Sequence, residues 1–165
     1  MRWLTHLLTT RWSARRRFPV AALDALEAAI AAGERQHRGE LRVLIEPALD
    51  LAQILAGITP RQRAVRAFAE LGVWDTAENN GVLLYIGLAD RAVEIVADRG
   101  YRDGAGHVPA ATWAQICTQM STHFSDGRFQ DGVLHGVAAV AAAMAGVFPG
   151  DGSDPDELPN RPTFI

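Results

Sequence analysis

The sequence predicts an α/β domain: a small mixed β-sheet with α-helices packed on both faces. The sheet is built from a parallel β-α-β crossover plus an antiparallel hairpin. Three observations lead there. Val82 to Leu88 is an almost unbroken apolar run, and after a polar break at Asp90-Arg91, Val93, Ile95 and Ala97 alternate with Glu94, Val96 and Asp98. Two short β-prone runs around a tight break predict a hairpin. The first run lacks alternation, as a strand covered on both faces does. Upstream, Leu41, Val43 and Ile45 form another short strand, and a helix lies between it and Val82. Strand, helix, strand makes those two strands parallel neighbours. Finally, Trp113, Ile116, Cys117, Met120 and Phe124 recur at helical spacing.

In order, residues 1–17 read as a basic amphipathic arm. Trp3, Leu4, Leu7 and Leu8 fall at helical spacing among Arg2, Arg11, Arg15, Arg16 and Arg17, with no acid. Such an arm docks on its own domain, on a second copy or a protein partner, or on an anionic membrane surface. Its leucines are broken by Thr5 and His6, so it lacks a secretory h-region. Pro19 opens a helix through Leu23, Leu26, Ala29 and Ile30 whose stripe Gly33 interrupts. The Leu41 strand should stop at Glu46-Pro47, because proline cannot donate to a ladder. Thr59-Pro60 starts the crossover helix, with threonine as N-cap and proline in the first turn. Gly127 is a C-cap for the Trp113 helix. The last helix, from about Phe129 to Phe148, is rich in Ala, Gly and Val, and His135 lies within it. Its Val133–Phe148 part falls short of the about 20 residues that span a bilayer, so it reads as a buried helix packed closely through small residues. Residues 149–165 read as an irregular, acidic, proline-rich tail.

Composition narrows the function. The chain has 165 residues, 48% of them apolar and 21% charged, which suits one ordinary globular domain. A net charge of −3 argues against nucleic-acid binding. Every basic residue is arginine, so lysine Schiff-base chemistry and Walker-type phosphate binding are excluded. The single cysteine, Cys117, forms no internal disulfide and sits in an apolar stripe as filler. Absence of disulfides and of a leader points to the cytoplasm. His6, His37, His107, His123 and His135 are scattered, and each reads as a surface or satisfied histidine rather than a ligand.

The hairpin places candidate chemistry. With its turn at Ala89 to Arg91, Asn80-Gly81 lies across from Asp98-Arg99, and a parallel first strand begins near Glu40 at the same end. Glu40, Asp75, Glu78, Asn79, Asn80, Asp98, Arg99 and Asp103 then converge on one rim. Asp90 lies at the other, about 26 Å away along a strand. Clustered carboxylates and amides suit Ca²⁺ or Mg²⁺, with Arg99 as counter-charge or phosphate clamp. The preferred ligands are Asp75, Glu78, Asn79, Asn80, Asp98 and Asp103, with Glu40 and Asp90 ranked lower. Asn-Gly is equally a turn signal for backbone reasons, and Asp98 can serve only the loop that follows. Parallel sheets usually bind ligands at strand carboxyl ends, which points instead to Glu46 and Asp90. No contiguous Ca²⁺ loop exists: Ala77 and Pro155 occupy ligand positions of the nearest matches.

Several stretches together carry a resemblance: Gly39-Glu40-Leu41, Asn80 to Leu84, Asp90-Arg91, Ile95, Asp98-Arg99-Gly100, Phe124, Gly127-Arg128-Phe129 and Gly132. Over about Phe18 to Phe148 the chain resembles the TPM domain family, and most of all its short bacterial members. The resemblance implies an α/β sandwich with helices on both faces of a small sheet. It also implies one of three roles: acid phosphatase, as in some plant-type relatives; Ca²⁺ binder, as in some bacterial ones; or accessory subunit of a membrane complex. Under the phosphatase expectation the catalytic candidates are Asp98, Arg99 and Glu78.

Overall fold

The computed structural model describes residues 2–102, 107–152 and 157–165. Its sheet has four strands in the order β3-β2-β1-β4: β1 (Glu40–Glu46), β2 (Gly81–Gly87), β3 (Ala92–Ala97) and β4 (Thr163–Phe164). β1 and β2 are parallel with Glu40 beside Gly81, and β2 and β3 are antiparallel with Val82 beside Ala97. The fold class expected from the sequence is the one observed.

Alternation along the strands divides two cores. Leu41, Val43, Ile45, Val82, Leu84, Ile86, Val93 and Ile95 face one side. They are covered there by α3 (Val20–Glu34), α6 (Ala110–Ser125) and α7 (Phe129–Ala145). Leu44, Leu83, Tyr85 and Val96 face α5 (Pro60–Glu70) on the other side. β2 is buried along its whole length, which is why its sequence does not alternate. Thr59 caps α5 with the Gln62 side chain reciprocating, a capping box ahead of the proline turn. A short helix, α4 (Leu51–Leu55), precedes it. Gly127 takes φ +76 just past α6, as a left-handed cap does. α7 is the expected close-packed helix. Gly132 and Gly136, one turn apart, leave room for Phe124 and Met120 of α6. No described helix is long and apolar enough to cross a membrane.

The terminal segments differ from expectation or sharpen it. The arm is two helices, α1 (Arg2–Leu8) and α2 (Arg11–Arg17), broken where Thr10 caps the second. It docks on its own domain through Arg2, His6, Ala14 and the following Phe18. Trp3, Leu7, Leu8 and Trp12 remain exposed.

The tail is not wholly irregular. β4 pairs in parallel with β1, Leu44 beside Thr163. The Arg42 guanidinium donates to Thr163 Oγ1 at 2.6 Å and to the Pro159 carbonyl. Phe164 meets Phe18 edge-on at 6.2 Å. Two residues are too few for a periodic pattern, so long-range contacts, not local preference, make this strand.

Candidate functional site at the amino end of the parallel strands

The loop before β2 is tied down locally. Thr76 Oγ1 accepts the Asn80 amide at 3.0 Å, and Asn79 takes a left-handed φ of 55°. The Asp98 amide reaches the Gly81 carbonyl at 2.9 Å, and the Gly100 amide reaches that of Asn79 at 3.0 Å. Tyr101 Oη donates to the Asn80 carbonyl at 2.8 Å. Glu40, Glu78, Asn79, Asn80, Asp98 and Arg99 therefore share one rim.

Their side chains have different fates. Glu40, ranked as a lower ligand, is buried and its carboxylate accepts the amides of Glu157 and Leu158, both at 3.1 Å. It anchors the tail. Glu78 pairs at 3.5 Å with Arg38, which also reaches Asp151 at 3.5 Å. Arg38, not Arg99, is thus the local counter-charge; Arg99 is exposed. Asp75 is exposed at the foot of the loop. Asp103 lies outside the described residues.

Two oxygens stand out. Asn80 is 3% exposed; its Nδ2 donates to the Arg38 carbonyl at 2.5 Å, but its Oδ1 has no partner. Asp98 Oδ1 accepts the Arg99 amide at 2.7 Å, while its buried Oδ2 has none. Unpaired buried oxygens cost about 1–3 kcal/mol each. Strand alternation places Asn80 with Val82 and Asp98 with Val96, on opposite faces, so a ligand shared by both sits beyond the strand ends. Burial first, then the charges of Asp98, Glu40 and Glu78, push the Tyr101 hydroxyl far above its ordinary value. Among the described residues no three His, Cys, Asp or Glu side chains are placed to share an ion. A cation here would draw on amide oxygen, backbone carbonyls and water beside Asp98, a donor set that fits Ca²⁺ better than Mg²⁺.

The opposite rim uses its carboxylates structurally. Glu46 is locked to Arg63 and Tyr85. Asp90, ranked as a lower metal ligand, takes both forks of Arg2 at 2.6 and 2.7 Å and His6 Nε2 at 3.0 Å. His6 Nδ1 accepts the Leu49 amide at 2.9 Å, so the ring proton sits on Nε2 and donates to Asp90. Burial opposes ionisation of Asp90, but the hydrogen bonds from Arg2 and His6 outweigh it and hold the carboxyl below its ordinary value. A depressed carboxylate stabilises above its unfolded value and loses that contribution as pH falls through the folded one. The arm should therefore stay clasped near neutral pH and release below the ordinary aspartate value of about 3.9. Asp90→Ala should release it at pH 7, costing about 2 kcal/mol and exposing the Thr9-Thr10 break to proteolysis. Wild-type resistance to nicking in that variant would refute the clasp.

Other histidine and cysteine expectations divide. Cys117 is filler: burial pushes its thiol up to about 11. His37, by contrast, is buried with no well-formed hydrogen bond to either ring nitrogen among the described residues, and burial lowers its pKa against weaker backbone contacts that raise it.

A mixed four-stranded sheet between helix layers, with an Asn-Asn-Gly loop meeting an Asp-Arg-Gly turn at one rim, defines the class. The chain belongs to the TPM domain family, whose model matches residues 18–143. The BA42 protein from the psychrophilic bacterium Bizionia argentinensis, solved by NMR, is similar at 28% identity and a TM-score of 0.77, covering 90% of this chain and 95% of that one. The N-terminal domain of a P. gingivalis protein shares the fold at 22% identity and a TM-score of 0.61, over 78% of this chain and 77% of that one. No curated protein matches.

Proposed function

We propose that this TPM domain binds a divalent cation, Ca²⁺ ahead of Mg²⁺, at the Asn80/Asp98 rim. The observation that carries the reading is the pair of buried oxygens, Asn80 Oδ1 and Asp98 Oδ2, without a hydrogen bond among the described residues. A cation beyond the strand ends would offer both oxygens a partner. Asn79 and Glu78 flank the position, and Asp75 adds charge from the loop. Ligand binding to the folded state alone stabilises by about 2.7 kcal/mol at a hundredfold excess over Kd. Thermal melts with millimolar Ca²⁺, Mg²⁺ or EDTA should show Ca²⁺ raising the melting temperature most, and Asp98→Asn should abolish the rise. Identical melts in all three, with no heat in a calorimetric titration, sink the proposal.

A second reading is a metal-assisted phosphatase. It is favoured by the exposed Arg99 guanidinium, which makes no hydrogen bond or ion pair among the described residues and adjoins Asp98. The cation would supply polarisation of a phosphoryl oxygen. Arg99 would hold phosphate oxygens, and Asp98 or Glu78 would orient the attacking water. Turnover of a phosphomonoester that is unchanged in Asp98→Asn rules this out.

A further inference from the structure

The carboxyl end of the β1/β2 pair opens into a second, oppositely charged place. A cavity of about 600 Å³ lies between the docked arm, the β2–β3 turn and the α6–α7 turn. That is the size of pocket that holds a small organic ligand, at the strand ends where parallel sheets usually bind one. Its lining is bipartite. Leu8, Phe124 and Phe129 give it apolar walls, and Arg17 and Arg91 give it charge; no Asp or Glu is among its lining residues.

Both arginines are unspent. The Arg17 guanidinium lies over the Phe129 ring, 4.7 Å from its centroid, and makes no ion pair among the described residues. Arg91 makes no side-chain hydrogen bond or ion pair among the described residues. Two acids adjoin the lining in sequence and both are engaged: Asp90 by Arg2 and His6, and Asp126 by Arg128 at 2.8 Å. Arg91 also holds φ at 51°, at the turn position where glycine or asparagine is at ease. A non-glycine residue kept in a left-handed turn, with no side-chain partner among the described residues, is unfavourable backbone without a structural return.

We infer that this cavity binds a small amphipathic anion, a carboxylate or phosphate monoester whose head sits on Arg17 and Arg91 and whose apolar body lies against Phe124 and Phe129. A guanidinium fork matches either head group, and no acid among the lining residues competes for it. The site is at the opposite end of the sheet from the cation rim and does not depend on it.

The test titrates the full chain in EDTA with octanoate, octyl phosphate, octanol and inorganic phosphate, by calorimetry and NMR shift mapping. At least one amphipathic anion should bind, with shifts at Arg91 and Phe129, while octanol and inorganic phosphate bind at least tenfold more weakly. The preference between octanoate and octyl phosphate identifies the head group. Arg91→Gly should fold as well as wild type, because glycine suits the turn, yet lose tenfold or more in affinity; Arg17→Gln should do the same. Equal binding of octanol, undiminished affinity in Arg91→Gly, or no binding of either anion at millimolar concentration overturns the inference.

Discussion

Glu46→Ala is expected to destabilise the domain by about 3 kcal/mol. Glu46 ends β1 and is buried, as is Arg63 of α5. The Arg63 Nε lies 3.1 Å from both Glu46 oxygens, and Tyr85 Oη donates to Glu46 Oε2 at 2.7 Å. Truncation leaves a buried guanidinium held only by the exposed Glu70, and a buried hydroxyl with no acceptor. Both penalties are desolvation costs already incurred on folding and no longer offset. The pair itself need not be worth that much. Replacing both partners together, Glu46→Leu with Arg63→Met, should cost far less than the sum of the single changes, because no charge is then left buried. Urea unfolding of the singles and the double measures this directly. A loss under about 1 kcal/mol for Glu46→Ala would mean that Arg63 relaxes into solvent.

Gly81→Ala should be comparably severe, about 3 kcal/mol, for a different reason. Gly81 does not occupy a left-handed turn position; Asn79 does. A Cβ on Gly81 would instead run into the Val73 carbonyl, which is main chain and cannot rotate aside. Gly72→Ala is the control. Gly72 has φ +67 but open space around it, so that change should cost only about 1 kcal/mol. Melting temperatures of the two variants separate close approach from backbone conformation. Gly81→Ala melting with or above Gly72→Ala would invert the argument.

That pair also illustrates what could be read in advance. Hydrophobic periodicity carried the sheet and its helices, because burial on one or both faces stamps itself on local sequence: Val82 to Leu88 without alternation, Trp113 to Phe124 with a period near 3.6. That Asn80 and Asp98 share one rim followed from hairpin register alone. What periodicity could not carry was which partner each side chain finds. Arg38, Tyr101 and Thr76 complete the rim, and their only advance sign was proximity to Gly39-Glu40, Gly100 and Asn79-Asn80. Glu40 and Asp90 read as free carboxylates because their partners, the Glu157–Leu158 amides and Arg2, lie more than eighty positions away. β4 escaped for the same reason.

The sheet's margins carry a consequence for how these molecules meet one another. A naked strand border invites another chain to add on, the route to runaway fibrous growth. Here arginine acts at one border and secures the strand that forms the other. Arg61 reaches across from α5 to the Ile95 carbonyl of β3 at 2.5 Å, beside Glu94 at 3.6 Å. Arg42 holds β4 over part of β1. A lysine would present a single point where the guanidinium presents a fork, so a chain stocked only with arginine is well supplied for this duty. At those two points the backbone groups that a further strand would need are already engaged.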